Sequence, residues 1–431
     1  MELSMTILRW FLSKTVREAT AVSKHYRRLL AAQRDVLSPQ AVAAVLTAEN
    51  NLRTAMAGGN IGAIRIKAEE LQFAAEKNLK PYPHAAWREN VEVLLVALAV
   101  AMAIRTFFIQ PFKIPTGSMQ PTLFGVNAYP DYAHTWEALR FGQEDLARAE
   151  FAKQSRAAKS MIIPSGWQRI KEWFQGNSYL HIVADMDGAI EVGPATRFLI
   201  FTLKQTYMLG GVEHTLWFPP DFGESQGGID PLAYRAGIFP GRVFHKGDDI
   251  IKLRMSAGDH LFVDRMSYNF RKPYRGDTIV FETEGIPEDK RDQYHIPADQ
   301  FYIKRLVALP GEKVSIGDDR HLRINGQRLD ASTPHFERVY GFNPAEPPQQ
   351  SQWSGHINGA VAQAYKFGFL PIFPDQDTVY EVPSDGCMPM GDNTCNSLDS
   401  RFWGAIPEKY VIGKSFFVYW PLTERFGCGN R

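Results

Sequence analysis

Cysteine is scarce. The 431-residue chain has three, too few for a disulfide-dense scaffold, and their spacing fits no zinc site. A surplus of charge is also missing. The net charge is +1, so no basic excess is available to neutralise a nucleic-acid backbone, and no nucleic-acid partner is expected. The eleven histidines are scattered without an H-E-x-x-H pair, which argues against a metalloprotease and leaves no metal site to expect. Neither G-x-G-x-x-G nor a Walker A loop occurs, so nothing calls for a nucleotide, and no cofactor is expected. What is present is ordinary for a chain that buries a core: 45% hydrophobic and 22% charged residues. The length allows two or three domains.

Long apolar runs are nearly absent as well, and the exception is informative. Residues 93–104, VLLVALAVAMAI, carry no polar side chain. Twelve residues cannot cross a bilayer, which needs about 20. Extension from Val91 to Ile109 admits only Glu92 and Arg105, and an arginine one turn from the end can reach the headgroups. A buried core helix would also fit this length. The polar and aromatic flanks favour one transmembrane helix over 89–109, and its position excludes a cleaved signal peptide. Residues 1–90 hold thirteen Lys/Arg against eight Asp/Glu, so the expected topology is single-pass, with residues 1–88 cytoplasmic and 110–431 outside.

Residues 1–80 read as helices with a break at AGGN, 57–60, and KPYPHAAW, 80–87, as a stiff link. Beyond Leu123, residues 134–162 read as one amphipathic helix. LHIVADMDGAIEV, 180–192, reads as a hairpin turning at Asp187-Gly188, and FLIFTL, 198–203, as a buried strand. From residue 256 the pattern is β-rich. AGDHLFVDR, RGDTIVFE and FYIKRLVALPGEKVSI join β-branched or aromatic runs to glycine turns. LPGE, 309–312, suits a type II turn, and Asn-Gly in RINGQRL suits a tight hairpin. The expected fold is mainly β, an antiparallel sheet domain with an N-terminal helical region, one transmembrane helix and a mixed α/β segment over 126–255.

Three stretches carry candidate chemistry. IPTGSMQPTL, 114–123, puts Ser118 between two prolines that restrict the chain to extended geometry; it reads as a stiff loop presenting one hydroxyl, or as a proline-rich helix exit. In FYIKRLVAL, strand alternation puts Lys304 on one face with Tyr302, Leu306 and Ala308, and Arg305 on the other with Ile303 and Val307. A lysine in apolar company has a depressed pKa and can act as a base, although a lysine stem can also cover a sheet while its head reaches water. GDNTCNSLDSRFWG, 391–404, reads as a polar turn-rich loop. In it Ser397, Asp399 and Arg401 share one side of an extended segment, Asp399 and Arg401 pair, and Ser397 is placed to hydrogen-bond an amine such as that of Lys304. A structural loop held by its own side-chain bonds would look the same.

Together these stretches resemble the bacterial type I signal peptidases, membrane-anchored Ser/Lys proteases that remove signal peptides from exported proteins. RTFFIQPFKIPTGSMQPTL is similar to their nucleophile segment, GDHLFVDR and RGDTIVF to the next two strands, YIKRLVALPGEKV to the lysine segment, and GDNTCNSLDSRFWG to the box G-D-N-x-x-N-S-x-D-S-R-x-W-G. The resemblance covers about a third of the chain and implies a serine endopeptidase of the inner membrane, acting on signal-peptide-bearing preproteins at the bilayer surface. It implies Ser118 as nucleophile, Lys304 as general base, and the Ser118 N–H with the Thr116 hydroxyl as oxyanion hole. Ser397 would orient Lys304, with Asp399 and Arg401 supporting the loop. Phe112, Ile114, Pro115, Met119, Tyr302 and Ile303 would line shallow substrate pockets.

The chain departs from that pattern in several places. Thr394-Cys395 stands where the box usually has Arg-Asp, which puts an ion pair in doubt, and Cys387 lies close enough in sequence for either a bridge to Cys395 or two free thiols. Residues 126–255 interrupt the path from the nucleophile loop to the GD strand, as an insertion expected to leave the site intact. A further accessory β region is expected over 315–383. Two other readings compete. A Ser/Lys self-cleaving repressor would need a DNA-binding N-terminal domain and no span. A non-catalytic, membrane-anchored β domain could bind extended peptides at a sheet edge, but would have no use for a neutral lysine facing a serine.

Overall fold

The computed structural model describes residues 13–80, 85–198, 201–219, 221–222 and 230–428. It divides into two compact units, Met1–Ala101 and Met102–Arg431.

The described residues of the first unit include the helices α1 (Lys14–Gln33), α2 (Pro39–Gly58) and α3 (Ile61–Asn78). Leu52, Ile64 and Leu71 are fully buried between them. The AGGN break is a helix stop: Gly59 takes the left-handed conformation after α2, and the Asn60 side chain caps α3. A second break separates α1 from α2, where the Ser38 hydroxyl accepts from the Ala41 N–H and Pro39 begins the helix. The stiff link falls largely outside the described residues. α4 (Ala85–Phe107) follows, and its stretch Glu89–Phe107 is long and apolar enough to cross a membrane. None of that stretch is buried, so it is not the core helix that its length alone would also permit.

The second unit is built on one antiparallel sheet. Its order is β1 (Ile109–Lys113), β9 (His260–Asp264), β18 (Val411–Trp420), β10 (Thr278–Glu282), β11 (Phe301–Ala308), β16 (Gly386–Met390) and β17 (Ile406–Pro407). β1 is the edge strand, directly continuous with α4. A smaller sheet consists of β14 (Gln327–Arg328), β13 (Leu322–Ile324), β12 (Lys313–Ile316) and β15 (Tyr380–Glu381). Its Asn-Gly turn has both residues at positive φ, as a tight hairpin requires. The fold is mainly antiparallel β, with the helical region and apolar helix that the sequence suggests.

Residues 126–255 carry two sheets of their own: β2 (Asn127–Tyr129), β8 (Asp249–Ser256) and β3 (Asn177–Val183), and β6 (Val212–Trp217), β5 (Phe201–Leu209), β4 (Gly188–Phe198) and β7 (Val243–Phe244). A separate apolar core includes Ile190, Leu209, Phe222, Leu232 and Leu253. Two local expectations fail here. The helix expected over 134–162 is two, α5 (Ala133–Arg140) and α6 (Glu144–Ser160), because Gly142 turns to a φ of 69°. The expected hairpin at Asp187-Gly188 does not form. β3 pairs with β8 while β4 pairs with β5 and β7, and the backbone of Ala184 is bonded to Gly247 and Asp248 instead. FLIFTL falls partly outside the described residues, at 199–200; Phe198 pairs with Phe201, and Leu203 is exposed.

The two ends of this segment meet. Phe124 and Asp259 exchange backbone hydrogen bonds with each other's backbone or carboxylate at 2.8 Å, and the Asp259 carbonyl accepts from the Ile114 N–H at 2.9 Å. Gly125 and Gly258 allow this closeness, since a Cβ on either would fall 2.2 Å from Thr116 and 1.9 Å from the Ile114 carbonyl. Residues 126–255 therefore leave and rejoin the main sheet at one point, beside the serine segment.

Candidate active site

Thr116 is extended, but Gly117–Met119 close into a single 3₁₀ turn rather than a fully extended loop. The turn is anchored from below. Met119 and Leu123 are buried with Ile114, Leu261 and Val280, which fixes the Ser118 hydroxyl on the opposite side. β11 lies between β10 and β16, so Lys304 cannot lift its amine to water and is buried. Lys304 Nζ donates to Ser118 Oγ at 2.7 Å. Burial pulls the Lys304 amine down to about 8, against the opposing pull of Asp399 and Asp392, with Arg401 adding to the fall. Thr116 Oγ1 lies 3.5 Å from Ser118 Oγ.

The polar loop supplies the frame. It is not extended: Thr394–Asn396 forms a 3₁₀ turn and Ser400–Trp403 a one-turn helix capped by Asp399. Asp399 and Arg401 pair through two hydrogen bonds of 2.9 Å, both side chains fully buried. Asp399 also accepts from the Gly391 N–H. Thr394 fills the place where an ion pair was in doubt, its hydroxyl accepting from Arg401 at 2.7 Å and from the Ile357 N–H at 2.9 Å. The expected bond from Ser397 to the amine is absent: among the described residues Lys304 Nζ bonds to Ser118, not to Ser397. Ser397 is buried against Gly391, where an added Cβ would lie 2.1 Å from its hydroxyl.

The expected pocket residues divide. Pro115 is exposed and Phe112 half-buried, with Phe112 packed edge-on to Phe301 at 5.3 Å. Ile114 and Met119 are interior. Ile303 packs against their cluster, and Tyr302 lies in a different one, beneath the amine of Lys304 at 5.4 Å. The alternation read along β11 holds through Leu306, after which a bulge turns Ala308 into the core that holds Val307. All three cysteines are free. Cys387 and Cys395 sit in separate apolar clusters, and burial raises their thiols to about 12 and about 11.

Two residues of the frame escape a motif-by-motif reading. Asp392 receives both Nε and Nη2 of Arg305 at 2.7 and 2.6 Å and the Thr122 hydroxyl. It thereby ties the lysine strand, the serine segment and the loop together. Asn393 donates its N–H to the Ser118 carbonyl at 3.1 Å and its side-chain amide to the Gly117 carbonyl at 2.9 Å. The available signal was Arg305 on a strand face otherwise apolar, which requires a buried anion from elsewhere.

A profile described as signal peptidase, peptidase S26, matches residues 87–129 and 252–420, the segments that build β1, the serine turn, the main sheet and the polar loop. Over these two segments, just under half of its length, the chain is similar to the signal peptidase family. It is similar to signal peptidase I of Leptolyngbya laminosa, 32% identical over 170 residues, covering 39% of this chain and 64% of that protein. Signal peptidase I of Pseudomonas fluorescens is 28% identical over 195 residues, covering 40% and 62%. The chain thus spans somewhat under two thirds of the length of these relatives. A solved signal peptidase I from Enterococcus faecalis is 26% identical and covers 33% of this chain and 97% of that one, with a TM-score of 0.21, too low to bear on the fold. The stretch between the matched segments, 130–251, contains α5 through β7 and the start of β8.

Proposed function

We propose that this protein is a membrane-anchored serine endopeptidase that removes signal peptides from exported preproteins, with Ser118 as nucleophile and Lys304 as general base. The observation that carries this reading is the buried amine of Lys304 at 2.7 Å from the Ser118 hydroxyl, with its basicity lowered by burial to about 8. A neutral amine takes the hydroxyl proton as Ser118 attacks the scissile carbonyl, then returns it to the leaving nitrogen. The Ser118 N–H and Thr116 hydroxyl face the developing oxyanion. β1 is an edge strand, and an extended peptide can lie along such an edge. Phe112, Pro115, Tyr302 and Ile303 bound the shallow pockets for small side chains, with Ile114 and Met119 packed behind them. Ser397 packs beneath Gly391 rather than touching the amine. The test is cleavage of a preprotein with alanine at the first and third positions before the cut, by purified protein in lipid. The wild type cleaves and Ser118→Ala falls to background; a well-folded wild type that cleaves nothing would overturn the reading.

Gly391 gives a second check. A Cβ there would lie 2.1 Å from the Ser397 hydroxyl and 2.6 Å from the Ser118 carbonyl, so Gly391→Ala must shift the serine turn. A displacement of 1 Å can cost on the order of a hundredfold in rate. The same preprotein assay should show that loss while circular dichroism shows retained sheet.

The domain limits follow the same reading: 1–88 cytoplasmic, 89–109 spanning the inner membrane, and 110–431 outside, with 126–255 inserted and 315–383 accessory. The basic excess of residues 1–90 favours that orientation. Protease added to intact spheroplasts should degrade the C-terminal part and leave an N-terminal fragment; complete protection would reverse the topology.

A further inference from the structure

The insertion contains one helix built inside out. α7 (Gly166–Phe174) buries no residue. Its polar side faces the protein: Arg169 donates to the Tyr179 carbonyl at 3.3 Å, and Glu172 accepts from Asn177 at 2.7 Å. Trp167, Ile170, Trp173 and Phe174 are left 76%, 47%, 51% and 44% exposed. Ile162, just before the helix, is exposed too. Spacings of three and four residues put these side chains on one face. An outward face of two tryptophans, an isoleucine and a phenylalanine is costly in water.

The position of α7 says what covers that face. Trp173 packs on Trp420 with ring centroids 5.1 Å apart, and the Phe174 carbonyl accepts from the Leu422 N–H at 2.9 Å. Trp420 is in register with His260, and His260 with Lys113. Lys113 is the last residue of β1, whose first residue, Ile109, comes two after Phe107 at the end of the apolar helix. Four residues of strand and two strand spacings put Trp420 within about 20 Å of that helix end. Leu422 is also exposed, extending the apolar surface onto the sheet, and Lys171 adds an exposed cation on the same helix. Aromatic residues with a neighbouring cation are the composition of a helix lying in a lipid interface.

We propose that α7 is an interfacial helix whose Trp167, Ile170, Trp173 and Phe174 enter the surface of the bilayer that α4 crosses. The inference rests on α4 being a span, and flotation of the full chain with vesicles tests that point separately. The chain has nine tryptophans, so the emission of Trp167 is obtained as the difference between wild type and Trp167→Phe. Both proteins are reconstituted in phosphatidylethanolamine–phosphatidylglycerol vesicles, with and without brominated acyl chains. The difference emission should be quenched about two-fold or more by the brominated lipid and resist acrylamide. Quenching by acrylamide alone would place the face in water and overturn the proposal. Quenching by neither reagent would mean that another protein surface covers it, and would overturn the proposal equally.

Discussion

Replacing Lys304 by methionine should separate two properties that usually fall together. Preprotein cleavage should drop by about two to four orders of magnitude, the ordinary contribution of a positioned general base, while the fold becomes more stable. The stability change follows from linkage. The amine titrates near 8 in the folded protein because it is buried and near 10.4 when unfolded. Between those values the unfolded chain holds more protons, so stability rises with pH across that window; below about 8 the full penalty remains. Methionine matches the stem without the charge and removes a penalty on the order of 3 kcal/mol at neutral pH. Thermal unfolding in detergent reads the stability, and the preprotein assay reads the rate. The wild-type rate should also climb about tenfold per pH unit toward a plateau above about 8, because only the neutral amine accepts the serine proton. A lysine kept solely for structure would lose stability on replacement and show no such pH profile.

What was legible in the sequence follows how local each interaction is. The helix stop at Gly59-Asn60, the Asn325-Gly326 hairpin and the burial of Lys304 each depend on neighbours within a few residues or on strand periodicity, and each is present. The Asp399–Arg401 pair is equally local, though it closes over a helix cap rather than along an extended strand. The failures lie where a distant partner decides. Asp187-Gly188 has the residues of a hairpin, but the strands on either side find better partners in β8 and β5. Asp392 is one more polar residue in a polar loop until Arg305, 87 positions away, is placed beneath it. Asn393 gains its role only because the serine turn offers two carbonyls at the right height. Ser397 shows the reverse. Its spacing from Asp399 suggested a reach toward the amine, and beyond the turn at Thr394–Asn396 it packs beneath Gly391 instead.

Asp399→Ala should destabilise the protein by about 3–5 kcal/mol, the cost of leaving a buried guanidinium without its partner. The site explains why the loss is large. Arg401 is fully buried and spends Nε and Nη2 on Asp399, while Asp399 also caps the following helix and accepts the Gly391 N–H. No water can replace these bonds from outside. Removing both charges should be less harmful than removing one: Asp399→Leu combined with Arg401→Met should recover a large part of the stability, since a buried pair roughly offsets its own desolvation. Acid provides an independent measure. Burial by itself would raise the Asp399 carboxyl, but the Arg401 charge and hydrogen bond, with the Gly391 N–H and Ser397, hold it below its ordinary value. A carboxylate depressed in the folded state contributes stability above its unfolded pKa of about 3.9, and that contribution is lost as the pH falls further, through the folded value. Denaturant titrations at a series of pH values should therefore show wild type losing stability below about pH 4 more steeply than the double variant. The cleavage assay adds the functional half. Because Asp399 opposes the fall in the Lys304 pKa, a folded variant lacking that charge should reach its plateau rate at a lower pH than wild type, and an unchanged profile would confine Asp399 to stability alone.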